Sequence, residues 1–212
     1  YWNKYRQVDL TKSESSMDSF IHRMENSKGF KWIILGVKAL MENYVEIGSG
    51  PGGKKSKFDL GPVNTYLSKN YVDGIRLRLA GRTMAALNPH FFWNGYAAYG
   101  TKSNEWYTGH VLTYSLNKKK NSPFEFPMRN VTFEVSRDIM SPSDDNLQHN
   151  KDNIFMTFRA ATQDEMFLYH RQRLDFTYVT DWGLRFNTGI RWQSKRTAGH
   201  LHYLTLDRNE VK

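Results

Sequence analysis

VDGIRLRLAGRTMAALNPHFFWNGYAAYGTKSNEWYTGHVLTYSL, Val72 to Leu116, decides how the rest of this chain is read. In its first third, Ile75, Leu77 and Leu79 alternate with Arg76, Arg78 and Ala80, and Arg82 keeps the arginine phase. Successive side chains of a strand point to opposite faces, so this alternation makes one oily face and one cationic face. A helix would scatter the arginines around its circumference. Asn88-Pro89 interrupts the run. His90 to Gly100 is a second apolar and aromatic run, and Trp106 to Leu116 is a third, after the polar break Thr101 to Glu105. Strands of about ten residues joined by turns form an antiparallel meander, and that is also the length a tilted strand needs to cross a bilayer.

The pattern continues toward the C-terminus. A fourth strand is expected over Met128 to Ile139, with Val131, Phe133 and Val135 opposite Thr132, Glu134 and Ser136. A fifth is expected over Ile154 to Ala161, where Arg159 shares a face with Phe155 and Thr157. The sixth, Met166 to Thr180, puts Tyr169, Arg171, Arg173, Asp175 and Thr177 on one face. Leu168, Leu174, Phe176 and Tyr178 take the other, interrupted by His170 and Gln172. After the turn at Asp181-Trp182-Gly183, the seventh sets Leu184, Phe186, Thr188, Ile190 and Trp192 against Arg185, Asn187, Gly189, Arg191 and Gln193. His200 to Leu206 begins an eighth. Polar connections follow the third and fourth strands, two long ones in succession where a regular porin alternates short with long.

Toward the N-terminus, Tyr1 to Lys12 is irregular and aromatic-rich. Ser15 or Ser16 is placed to cap a short helix ending near Ser27. Ile33, Val37, Leu40 and Met41 recur at helical spacing and predict a second helix over Phe30 to Met41. Tyr44, Val45 and Ile47 read as a short strand, and Phe58 to Tyr71 as extended and irregular around Gly61-Pro62. The expected division is a helical, Gly-rich connector over 1–57 and membrane strands over 58–212. Tyr1 stands where an initiator Met would be, and Lys212 follows a strand-like run, so an internal stretch of a longer chain is expected.

Composition narrows the function classes. The 212 residues contain no cysteine, which removes disulfides, thiol nucleophiles and cysteine metal sites. No apolar run approaches the length of a membrane helix, whereas a barrel hides its signal because half of each strand faces inward. Aromatics reach 15%, suited to membrane-interface girdles or to sugar-binding faces. The net charge of +9 is assigned mainly to solvated loops such as Lys54-Lys55-Ser56-Lys57 and Lys118-Lys119-Lys120. No basic helix or nucleic-acid motif accompanies it, so a nucleic-acid partner is not expected.

Gly48 to Ser56, GSGPGGKKS, imitates a phosphate-binding loop. Lys55 stands where the magnesium-holding Ser or Thr belongs, and Gly61-Pro62 follows too soon for the required helix, so no nucleotide is expected. His200 and His202 share a strand face without a third ligand, and Asp144, Asp145, Asn146 and Asp152 lack calcium-loop spacing. No metal, no cofactor and no catalytic set is expected.

FDLGPVNTYLSKNYVDGIRLRLAGRT (Phe58 to Thr83), WNGYAAYG (Trp93 to Gly100) and LTYSLN (Leu112 to Asn117) resemble the Bacteroidota outer-membrane family catalogued as domain of unknown function 5686. The resemblance covers most of the chain, with residues 1–45 similar to the region before the barrel. It implies a signal peptide and a carboxypeptidase-regulatory-like domain upstream, a helical connector, and a membrane barrel at the bacterial outer membrane. It implies no reaction. The Arg-Gly-Phe lumen motif of barrel assembly and translocation proteins is not found.

The expected fold is therefore mainly β, an antiparallel meander forming part of an outer-membrane β-barrel behind a short helical connector. Arg76, Arg78, Arg82, Arg159, Arg171, Arg173, Arg185 and Arg191 are expected to face the lumen, with Glu134 and Asp175 among their partners. Trp93, Trp106, Tyr107, Trp182 and Trp192 are expected at the membrane interfaces. The expected partners are outer-membrane lipid and other envelope proteins, in a transport, envelope-assembly or scaffold role. The competing reading is a soluble β-rich module that binds glycans through exposed aromatic faces.

Overall fold

The structure is a computed structural model that describes residues 27–48, 55–147, 152–154, 164–204 and 210–211. The chain divides after Glu42, and 43–212 forms a compact unit of its own. Before that point, helix α1 spans Lys28–Glu42, as the spacing of Ile33, Val37, Leu40 and Met41 predicts. Trp32, Ile33, Val37 and Met41 along it are exposed. No described helix is long and apolar enough to cross a membrane, which says nothing of strands. The earlier helix expected near Ser15 to Ser27 lies outside the described residues.

The second unit is a nine-stranded sheet, antiparallel throughout. Strands β1 (Val45–Ile47) and β2 (Phe58–Leu60) form one end. A 3-10 turn at Val63–Thr65 leads to β3 (Leu67–Asn70), and both β2 and β3 pair with β4 (Gly74–Thr83). Then β5 (Phe91–Gly100), β6 (Trp106–Ser115), β7 (Arg129–Met140), β8 (Glu165–Val179) and β9 (Arg185–Gly199) follow in chain order, each beside the last. Helix α2 (Pro142–Leu147) leaves β7. β10 (Tyr203–Leu204) and β11 (Glu210–Val211) pair with each other. Among the described residues the sheet is open, with β1 and β9 as its ends.

Three expectations change here. β7 pairs directly with β8 over twelve positions, Arg129↔Tyr178 to Met140↔Phe167, so no fifth strand stands between them. Of the expected strand Ile154 to Ala161, residues 155–161 lie outside the described residues. The region read as irregular contains β2 and β3, too short and too interrupted by Gly61-Pro62 to show a period of two. β1 belongs to the sheet, so the sheet begins before the expected boundary at 57.

The sheet coils strongly. In a flat sheet, β4 and β9 would lie about 24 Å apart, five strand spacings. Yet Tyr71, in the turn before β4, has its hydroxyl 3.1 Å from Nε2 of His200, just after β9. Side chains on the concave side are thereby brought together.

Candidate functional site

Directly opposed residues of an antiparallel pair share a face. Following the register from strand to strand shows that Arg76, Arg78 and Arg82 lie on one face with Asn94, Tyr96, Tyr107, Glu134, Ser136 and Asp138. Arg171, Arg173, Asp175, Arg185, Arg191 and Lys195 continue it. The opposite face carries Ile75, Leu77, Leu79, Leu112, Phe133, Leu174, Phe176, Phe186 and Ile190. Burial sorts the two faces against the usual rule for water-soluble sheets. Leu77 is 52% exposed, Leu79 62% and Ile190 70%, whereas Arg76 and Asp73 are 0% exposed.

Arg76 is the centre of the charged face. Nη1 donates to Oδ2 of Asp73 at 3.1 Å and Nη2 to Oδ2 of Asp138 at 2.8 Å. Nε lies 3.1 Å from Oδ1 of Asp152 but off the N–H axis, so that contact is Coulombic rather than a hydrogen bond. Each carboxylate has further donors. The Tyr107 hydroxyl and Ser103 Oγ donate to Asp73 Oδ1 at 2.7 and 2.8 Å. The Tyr96 hydroxyl donates to Asp138 at 2.5 Å, Ser68 Oγ to Asp152 at 3.0 Å, and Arg78 Nη1 to Asp152 at 2.9 Å. Arg78 also lies over the Tyr96 ring, 3.7 Å from its centroid, and Arg76 over Tyr107. Among the described residues, three carboxylates meet two guanidiniums here, and phenolic and hydroxyl donors also serve the carboxylates. Ions this deeply buried persist only when so fully paired.

Two smaller clusters flank it. Arg82 donates through Nε and Nη2 to Oδ2 of Asp59 at 3.2 and 3.1 Å and stacks over Tyr44. Asp145, on α2, takes Arg171 Nη2 and Lys195 Nζ, both at 2.7 Å. Burial opposes its ionisation, but the two cations outweigh burial and hold its carboxyl below the usual range. Arg171 also comes within 4.0 Å of Glu134, and Arg173 pairs with Asp175 at 2.6 Å. Arg185 and Arg191 are exposed on β9, with no ion pair to another described residue. Arg159 lies outside the described residues.

The connection 116–128 folds back over this face. The Asn130 amide donates to the Pro123 carbonyl at 2.7 Å, and the Ala85 N–H to the Asn121 carbonyl at 3.2 Å. Lys119, expected in solvent, is instead buried, its ammonium donating to the carbonyls of Glu125 and Pro127. Burial lowers its pKa. Beneath the fold-back is a cavity of about 150 Å³ lined by Arg82, Phe92, Asn94, Val111, Thr113 and Phe124.

Trp93, Trp106 and Trp192 lie on the apolar face and Trp182 in the exposed turn before β9. Tyr107 does not join them. It occupies the charged face, 2% exposed, because its hydroxyl completes the shell of Asp73. Asp73 and Asp138 are the functional-looking residues that sequence reasoning passed over. Asp73 sits in a turn, where alternation carries no signal; Asp138 lies within β7 in phase with Glu134 and Ser136, so alternation gives its face but not its meeting with Arg76, three strands away. The carboxylates weighed for calcium are occupied separately: Asp144 by Ser141, Asp145 by Arg171 and Lys195, Asp152 by Ser68 and Arg78. Among the described residues no three His, Asp or Glu side chains converge to hold a metal.

No family model, curated protein or solved structure matches this chain.

Proposed function

We propose that this chain forms strands of an integral outer-membrane β-barrel, with the apolar face against lipid and the arginine-bearing face lining a charged, partly plugged interior. One observation carries the reading: the coiled sheet buries Arg76 among three carboxylates while leaving Leu77, Leu79 and Ile190 more than half exposed. In water, leaving a large aliphatic side chain exposed forgoes roughly 1.5–3 kcal/mol each. Against hydrocarbon that loss vanishes, and charges are admissible only on the inner face, since each would cost about 2–4 kcal/mol at the bilayer midplane.

The aromatic residues support the same arrangement. Tyr99 and Trp106, 5.1 Å apart, lie beside the β5–β6 turn, and Phe91, Tyr114, Tyr178 and Trp182 lie toward the opposite strand ends. The near-parallel trio Phe58, Trp93 and His110 stacks ring on ring, so its faces are turned to each other and offer no glycan platform. The edge of β9, unpaired among the described residues, requires further strands to complete the wall, because an unpaired edge is not tolerated in lipid. The resemblance of Phe58 to Thr83 to the Bacteroidota family of unknown function fits this role, as does service in transport, envelope assembly or as a scaffold beside other envelope proteins.

The test is extraction of the full-length protein from cell envelopes together with a heat-modifiability gel. Resistance to carbonate and salt, release by detergent and a band that shifts on boiling are expected. Release by salt alone with no shift would refute the barrel.

A further inference from the structure

Helix α1 turns its bulky apolar residues outward. A helix advances about 100° per residue, so Ile33, Val37 and Met41, each four apart, form one stripe along it, and all three are exposed. Phe30, part-buried, falls within the same stripe. Ala39, two residues from Val37 and therefore on the opposite side, is buried. An amphipathic helix of a water-soluble protein does the reverse, burying its large apolar residues against a core.

Two further features bear on what meets the stripe. The first is charge. Within KGFKWIILGVKALME, Lys28, Lys31 and Lys38 stand against a single acid, Glu42, and positions 31 and 38 fall together on one flank of the stripe. An apolar stripe in a lysine-rich helix, with Trp32 also exposed, is the composition of helices that lie in the headgroup region of an anionic leaflet. Spanning is not open to it, because 15 residues make a helix of only about 22 Å.

The second is attachment. Asn43 takes the left-handed backbone conformation, φ 62°, and stops the helix. Asn43 Nδ2 donates to Oδ1 of Asn64 at 2.9 Å, and the Asn64 N–H donates to Oδ1 of Asn43 at 2.8 Å. The Val63 N–H donates to the Asn43 carbonyl at 2.9 Å. Only Asn43 and Tyr44 separate α1 from β1, so the helix ends on a residue fixed to the 3-10 turn of the sheet.

We propose that α1 is an interfacial helix, with Ile33, Val37 and Met41 against the acyl chains of an anionic phospholipid leaflet. The positive charge of the helix draws it to the phosphate headgroups. This rests on the barrel reading, which brings the tether at Asn43 to the membrane.

Spin-label accessibility tests it. Ile33→Cys, Val37→Cys, Met41→Cys and Glu42→Cys are made one at a time in otherwise cysteine-free full-length protein and labelled in vesicles of phosphatidylcholine mixed with phosphatidylglycerol. Collision with dissolved oxygen reports lipid, and collision with a water-soluble nickel chelate reports water. Positions 33, 37 and 41 are expected to gain oxygen access and lose nickel access, and position 42 to show the opposite. Nickel access at all four would overturn the proposal. So would shielding of 33, 37 and 41 from both reagents, the signature of a protein cover. Vesicles of phosphatidylcholine alone are expected to raise nickel access at position 37, and no change would overturn the anionic-leaflet assignment. A label at Leu79→Cys in the same vesicles separates the two readings. Oxygen access there with nickel access along α1 refutes the interfacial helix alone, whereas nickel access at position 79 refutes the barrel.

Discussion

Arg76 Nη2 and Asp138 Oδ2 lie 2.8 Å apart, although 62 positions separate them and β5 and β6 intervene between their strands. The pair closes the charged face across the concave side of the sheet, and Tyr96 from β5 joins it on the same carboxylate oxygen. This contact ties the early strands to the late ones by side chains rather than by backbone ladders.

Arg76→Met leaves Asp73, Asp138 and Asp152 buried without their shared cation. Removing one partner of a buried ion pair costs about 3–5 kcal/mol. The expected outcome is a large fall in the urea midpoint of the refolded full-length protein, with Arg76→Lys intermediate. A fall no greater than for an exposed-site substitution would show that the cluster does not hold the strands together.

Leu79→Arg separates the two solvents that the apolar face can meet. In a bilayer it costs about 2–4 kcal/mol near the midplane. In water, at a position 62% exposed, it stays within about 0.5 kcal/mol. Folding yield into lipid vesicles is the readout, with Asn187→Arg on the charged face as the tolerated comparison. Equal yields for both variants would count against lipid contact at Leu79.

Asp145 gives the protein an acid-sensitive contact. Burial works against its charge, yet Lys195 and Arg171 hold its folded pKa below the ordinary 3.8. A depressed carboxylate contributes stability that is fully present above its unfolded pKa and is lost as pH falls through its folded pKa. Asp145→Asn is therefore expected to lower the unfolding midpoint by a constant amount at neutral pH. The difference from wild type shrinks as pH drops below about 4. A difference independent of pH down to about pH 2 would assign the effect to packing.

Gly109 lies directly opposite Tyr96, and a Cβ there would run into the Tyr96 ring. Gly109→Val pushes that ring away from Asp138 and from its stack on Arg78. Overpacking of this kind costs about 1–3 kcal/mol. Thermal unfolding of Gly109→Val beside Tyr96→Phe measures it. Similar losses are expected, and a neutral Gly109→Val would show that the ring has another place to go.

The strands from β4 to β9 were legible because alternation is local. Ile75, Leu77 and Leu79 announce their face without reference to any other part of the chain, as do Phe186, Ile190 and Trp192. The same reading failed where the period of two is too short or broken. β2 and β3 escaped it, and Tyr107 was expected with Trp106 at the membrane interface although, one position out of phase with Trp106, it lies on the other face. Lys119 was assigned to solvent because a run of three lysines carries no sign of the carbonyls that surround one of them.

Which residues share a face is written in the order of the amino acids, because a strand fixes side-chain direction one residue at a time. The same order makes one face apolar and the other cationic. Folding in three dimensions settled the rest: which face is turned inward, that β7 pairs with β8 directly, and that Arg76 meets Asp73, Asp138 and Asp152 together. Those outcomes depend on register and on the coiling of the whole sheet. Both are set by contacts between residues far apart in the chain, and no local pattern encodes them.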